Sequence, residues 1–450
     1  MNTISRSKVA SVKQVYLLIA VCQYITFANE ERGFHDVTKQ TDKLRTVVSN
    51  STTWESNEEI QLFREYLRIP SVHPNVDYKP CIAFLEKQAA SLNLPVSISY
   101  PARSDKPVVV MTWEGSQPEL PSIMLNSHMD VVPAFEKFWT HPPFAAEIDG
   151  NGDIFARGAQ DMKSNAMQYL AAVRALKRDG IDRLKRTVHI TFVPDEEVGH
   201  DGMASFVKTN EFIALNVAFT LDEGGLILNY EGVLYVFKGE RTMWQVEFIF
   251  HGTSEHGARL FPSTPGEKMS YVVGKLMALR AEELKKFTEM NHLYENVTTI
   301  NLTILKGGIL RNIVPAEMSA TFDIRIAVST SVHDFEEMVN KWCAEAGGNI
   351  SINFLDKGEN EQVTRTDSSN PFWMAFKTAT EESGIKVKPV ILGGASDNRY
   401  LRRLKISAIG FSPLINTIPK LHDHNEYINV ETFLKGIQIY KKIIYNLGNV

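Results

Sequence analysis

Pro121–Asp130, PSIMLNSHMD, decides how the rest of the chain is read. Ile123, Met124 and Leu125 form a short apolar run that ends on the polar Asn126-Ser127-His128. A buried strand of a parallel sheet has this pattern where it leaves the core. His128 then stands at the strand's C-terminal end, where open α/β sheets place their ligand crevice. Asp130 is spaced to hydrogen-bond the imidazole nitrogen facing away from the site, as carboxylates do behind metal-bound histidines. Taken alone, His-x-Asp more often marks a surface histidine, so its partners elsewhere in the chain carry the weight.

Those partners sit at similar places. Thr187–Val193 is a β-branched run broken by Pro194 and followed at once by Asp195-Glu196-Glu197. Consecutive acids repel one another unless something positive compensates them. Asn216–Leu221 repeats the plan and runs into Asp222-Glu223-Gly224-Gly225. Ala156–Asp161 leads into a strong helix over Met162–Arg178, which puts Asp161 at a helix start, where an N-cap is the simpler reading. A late loop, Leu421-His422-Asp423-His424-Asn425-Glu426, adds two imidazoles and two acids. Nitrogen and carboxylate ligands without cysteine suit a hydrolytic zinc site better than a structural one. The set is too large for one tetrahedral ion that also holds water, and fits two ions sharing one carboxylate. One acid must then stay free to take a proton from water. Spacing does not choose between His422 and His424.

The chain has 450 residues, long enough for two domains, with 44% hydrophobic and 22% charged residues, as in soluble globular proteins. A formal charge of -5 offers no basic field for nucleic acid. Residues 1–28 read as a secretory signal: Arg6, Lys8 and Lys13, then the apolar Val15–Phe27, then small Thr26 and Ala28. That stretch is short and broken by Gln23, so no membrane span is expected once the signal is cleaved. Sequons at Asn50, Asn296, Asn301 and Asn349 fit a secreted glycoprotein, though Asn301 falls in an expected strand. Cys22 leaves with the signal, and Cys81 and Cys343 allow at most one bridge. Residues 29–56 lack periodicity and read as a mobile leader. A first α/β segment spans 57–238. Over 239–355 the elements run β-α-β-β-α-β, the order of a ferredoxin-like unit, and α/β character resumes over 356–450.

LNSHMDVVP, ARGAQDMK, FVPDEEVG, LDEG, ASDNR and LHDHNE together resemble the metallopeptidase family of glutamate carboxypeptidase, acetylornithine deacetylase and aminoacylase-1, its aminoacylase-1 branch in particular. The resemblance runs in order from about residue 57 to the C-terminus. It implies an α/β fold with a zinc-peptidase-like mixed sheet flanked by helices and an inserted ferredoxin-like α+β domain for dimerisation and lid. It implies two Zn²⁺ per subunit: His128, Asp161 and Glu223 on one, Asp161, Glu197 and His424 on the other. Asp130 would orient His128, and Glu196 would be the general base, kept ionised by the metals. The activity implied is hydrolysis of N-acyl-L-amino acids, small-molecule substrates, by a homodimer. His256 would enter the partner's site to steady the oxyanion, with Asn312, Arg325 and Arg399 as further substrate contacts, Arg399 for the carboxylate.

Two departures stand out. The family's Gly-His-Ala-Ser-Arg reads here Glu255-His256-Gly257-Ala258-Arg259, and one glycine is missing before His200. Glu255 beside the oxyanion position either weakens stabilisation or is neutralised by Arg259. A carboxypeptidase or dipeptidase would use the same metals and fold, and a relic binding protein would hold zinc without turnover.

Overall fold

Asn57 caps the helix that follows it, its side chain accepting from the Glu59 and Ile60 amides. That helix, α1 (Glu58–Leu67), buries Ile60, Phe63, Tyr66 and Leu67 along one face. The computed structural model describes residues 54–199, 201–224, 233–290 and 293–450. The expected signal over 1–28, nearly all of the leader, and the departure at His200 lie outside the described residues. Helix α2 (Lys79–Leu92) ends on Asn93 in the left-handed region, and strands β1 (Val96–Ser99), β2 (Val108–Trp113) and β3 (Ser122–His128) follow. Every residue of β3 is buried, as the apolar run and its polar tail require in a strand covered on both faces.

Strands β4 (Glu147–Ile148) and β5 (Asp153–Phe155) precede the long helix α3 (Lys163–Arg178). Its N-cap is Met162, without a side-chain cap, so Asp161 lies just ahead of the helix and its carboxylate is free for another use. Strand β6 (Val188–Val193), short helices α4 (Asp201–Phe206) and α5 (Asn210–Ala214), and strands β7 (Val217–Asp222) and β8 (Val233–Glu240) complete this part.

The chain then changes sheet across Arg241 alone. Its guanidinium donates to the Gly393 and Val297 carbonyls and to Thr299. Strands β9 (Thr242–His251) and β10 (Glu255–His256), helix α6 (Pro265–Glu289), strands β11 (Thr299–Gly307), β12 (Ile313–Val314) and β13 (Glu317–Ile326), helix α7 (Val332–Glu345) and strand β14 (Ile350–Lys357) follow. The four long strands form an antiparallel sheet in the order β11-β13-β9-β14, the ferredoxin-like arrangement. Alternation along β9 buries Trp244, Val246, Phe248 and Phe250 against α6 and α7. Helix α6 starts on a Thr264–Glu267 capping box.

The return comprises helix α8 (Pro371–Glu382), strand β15 (Lys386–Leu392), helix α9 (Asn398–Arg403), strands β16 (Ser407–Gly410) and β17 (Tyr427–Asn429), and helix α10 (Val430–Gly448). The large sheet has the order β1-β2-β6-β3-β7-β16-β8-β15. Its centre, β6-β3-β7-β16, is parallel, and the β1-β2, β2-β6 and β16-β8 pairs are antiparallel, so the sheet is mixed. β3, β6 and β7 therefore open at the same edge. Helices α3 and α10 cover one face, joined by Tyr169 edge-on to Tyr440 at 4.7 Å. A Cβ on Gly436 of α10 would stand 2.0 Å from Gln168 Nε2 of α3, so any larger residue there would have to displace the buried Gln168 side chain. Cys81 and Cys343 are buried free thiols on α2 and α7. No helix among the described residues is long and apolar enough to cross a membrane.

Candidate metal centre and active site

The parallel register sets His128 opposite Val193 and Leu125 opposite Leu221. The segments leaving β3, β6 and β7 are thereby gathered at one edge of the sheet. After β6 the chain turns through Asp195 in the left-handed region (φ 61°), held by Tyr78 Oη at 2.9 Å and Lys106 Nζ at 2.6 Å on its carboxylate. This turn delivers Glu196 and Glu197 as a short 3-10 turn. His128 Nε2 lies 3.1 Å from Asp161 Oδ1 and 3.7 Å from Glu223 Oε2. His422 Nε2 lies 3.2 Å from Asp161 Oδ2 and 2.9 Å from Glu197 Oε2. The two oxygens of Asp161 thus face two imidazoles. Possible ligand atoms of His128, Glu196 and Glu223 converge within 4.8 Å, as do those of His128, Asp161 and Glu197.

The imidazole that reaches this cluster is His422, not the expected His424. The backbone enters the left-handed region at His422 (φ 60°) and again at Asn425 (φ 54°), and the loop presents the His422 ring to Asp161 and Glu197. His424 packs on Phe138 with ring centres 4.9 Å apart and meets Phe135 edge-on. Asp130 also differs from expectation. His128 Nδ1 donates to the backbone carbonyl of Asp130 at 2.9 Å, while the Asp130 carboxylate stands 3.8 Å away. That carboxylate instead accepts the Glu196 and Glu197 amides at 3.2 and 3.1 Å, and His73 Nε2 sits 2.8 Å from it.

The cluster carries more negative charge than its two imidazoles offset. Burial, then the charge of Glu223, pushes the Glu196 carboxyl well above its ordinary value. Burial and Asp161 do the same to Glu223 and raise Glu197. Burial works against ionised Asp161 too, but hydrogen bonds from His128 and His422 hold it well below the carboxylate range. Its own hydrogen bonds to Asp161 and then Glu197 push His422 up to about 10. Glu197 Oε1 is buried without a hydrogen-bond partner. A buried set of carboxylates with an idle oxygen and two imidazoles, and no thiolate, fits divalent cations of the zinc type.

Residues 124–446 match peptidase family M20/M25/M40. Aminoacylase-1 of Homo sapiens is 44% identical over 398 residues, covering 88% of this chain and 97% of that protein. This chain belongs to the M20 peptidase family, in its aminoacylase-1 branch. In fold it resembles an M20 family metallo-carboxypeptidase from Sulfolobus solfataricus (TM-score 0.65, 19% identity, 87% of this chain and 99% of the other). It also resembles a dinuclear metal binding M20 peptidase from Bacillus subtilis (TM-score 0.60, 14% identity, 86% and 97%).

The remaining candidates of this M20 protein fall outside the carboxylate cluster. His256 lies on the two-stranded β10–β12 arm, where Gly257 donates to the Asn312 carbonyl at 2.8 Å, so His256 and Asn312 are neighbours. Glu255 is paired with Arg259 at 2.8 Å, the neutralised alternative of the two expected. Arg325 on β13 is forked onto Asp323 at 2.8 and 3.1 Å. Arg399 donates to Tyr400 Oη at 2.9 Å and lines a cavity of about 330 Å³ with Tyr400, Arg403, Lys357 and Met243.

Glu426 has a larger part than its place in an acidic loop indicates. It is fully buried and accepts from Arg157 at 2.8 Å and from the amides of Gly158, Gln160 and Asp161 at 3.0, 2.6 and 3.2 Å. Burial pushes its carboxyl up on balance, with Arg157 and the amides pulling the other way. Glu426→Ala leaves Arg157 buried without a counter-charge, and urea unfolding is expected to show a loss of about 3–5 kcal/mol. A loss under about 1 kcal/mol, the worth of an exposed pair, would show that the network does not hold the loop.

Proposed function

We propose that this M20 protein is a zinc-dependent N-acyl-L-amino-acid amidohydrolase, with two Zn²⁺ per subunit. The observation that carries the substrate class is the 44% identity to aminoacylase-1 over 97% of that protein's length. The cluster supports the chemistry. His128, Asp161 and Glu223 would hold one ion and Asp161, Glu197 and His422 the other, with Asp161 shared. When bound, the ions would polarise the scissile carbonyl and acidify water. Glu196, buried beside His128 and Glu223, is the acid left over. Its carboxylate takes the proton of the attacking water and delivers it to the departing amine nitrogen. The Asp130 carboxylate fixes the amides on either side of this step.

Purified protein assayed on N-acetyl- and N-lauroyl-L-amino acids beside a dipeptide panel is expected to cleave the acyl substrates faster. A chelator should abolish the activity and added zinc restore it. Faster dipeptide cleavage would overturn the substrate class, and full activity after chelation the metal dependence.

A homodimer is part of the proposal. Its support is His256, exposed on the short β10–β12 arm beside Asn312. Mixing His256→Ala with Glu196→Gln subunits, each inactive alone, should restore part of the activity, because one composite site per dimer would be intact. Absence of recovery in a verified heterodimer would remove His256 from the site.

A further inference from the structure

Asp130 stands where three donors meet, and one of them, His73, comes from outside every motif. The segment before Pro74 lies alongside the strand exit. Ser71 Oγ donates to the Met129 carbonyl at 2.5 Å, the Val131 amide to Ser71 at 2.9 Å, and the His73 amide to Val131 at 3.2 Å, with Val72 and Val131 in a parallel bridge. This pinning brings His73 Nε2 to 2.8 Å from Asp130 Oδ2, both side chains being buried. The opposite side is closed by Asp195, whose Oδ1 lies 3.8 Å from the same nitrogen. His73, Asp130 and Asp195 lie close enough to hold a metal ion. Asp195, however, already accepts Lys106 at 2.6 Å and Tyr78 at 2.9 Å, which supply the positive charge and the hydrogen bond an ion would bring. The group is a brace and not a third metal site.

What it braces is the pair of acids. Asp130 Oδ1 takes the Glu196 amide and Oδ2 takes the Glu197 amide. A carboxylate free to rotate about its last bond cannot hold two successive amides in one geometry, and His73 on Oδ2 stops that rotation. We propose that His73 is a positioning residue: by locking the Asp130 carboxylate it sets where the base Glu196 and the ligand Glu197 stand. The inference rests on the roles given to Glu196 and Glu197 above. His73 touches no substrate and acts only through Asp130.

The test compares His73→Leu, which removes the donor, with His73→Gln, whose amide nitrogen reaches a similar place. His73→Asn, polar but too short to reach Oδ2, replaces the leucine variant if that one fails to fold. Hydrogen exchange should quicken about tenfold or more in the peptide holding Glu196 and Glu197, while peptides of β3 and β6 stay as in the wild type. kcat on an N-acetyl-L-amino acid should fall roughly 10- to 100-fold, the usual effect of losing a group behind a metal site. KM should stay within about twofold, since substrate binding is untouched. His73→Gln should restore both exchange and kcat. Unchanged exchange at the acid pair, equal quickening throughout the sheet, an unchanged kcat, or no rescue by glutamine would each overturn the proposal. If the wild type cleaves no N-acyl amino acid, the functional reading fails, and the exchange comparison still decides whether His73 holds the pair.

Discussion

Glu196→Gln is expected to lower kcat roughly 100- to 10,000-fold, the range lost with a general acid–base group. Metal content should stay at the wild-type level. Glutamine has the same shape and fills the same buried space, so neither the ligands nor the hydrogen bond from the residue 196 backbone amide to Asp130 is disturbed. What disappears is the ability to accept a proton. The substitution also removes one of several crowded carboxyls, whose burial and proximity to Glu223 disfavour charge there. Unfolding of the metal-free variant should accordingly occur at the wild-type temperature or above it. A variant that keeps its metal and still turns over at more than about a tenth of the wild-type rate would refute the base assignment.

His422→Ala and His424→Ala should separate cleanly. His422 is 2.9 Å from Glu197 and 3.2 Å from Asp161, and its loss leaves Glu197 facing Asp161 Oδ2 with no imidazole between them, His128 remaining only on Asp161 Oδ1. One metal equivalent should be lost and kcat should fall at least about 100-fold, beyond what groups behind a metal usually cost. His424 packs on Phe138 and Phe135, and its replacement should leave metal content intact and change kcat by less than about tenfold. Metal analysis of the two variants is the check. The reverse result would return the ligand role to His424.

The contrast between these histidines shows where a sequence stops being legible. Apolar runs ending in His128, Glu196 and Glu223 are visible because burial on both faces leaves few polar residues inside a parallel strand. The alternation in β9 and the helix α3 are equally plain, being set by local periodicity. His422 and His424 differ by a backbone angle, φ 60° at the first, for which the residue type gives no sign. The spacing of Asp130 and His128 is legible, but which Asp130 atom meets the imidazole depends on the amides of a turn 66 residues away. His73 carries no motif and becomes visible only through its contact with Asp130. Strand β8 is hard to read from sequence because Arg241 alone separates it from β9, with no turn residues to announce the change of sheet.

The bond from the Asp161 amide to Glu426 spans 265 positions of the chain. While the protein is being synthesised, the loop before α3 therefore exists without the carboxylate that shapes it until 265 further residues have been added. Arg157 waits equally long for its counter-ion. A chain ending before residue 420 would have β3, β6 and β7 but neither His422 nor Glu426, so early termination should give silent fragments rather than weak enzymes. Competence waits on a loop made 265 residues after Asp161.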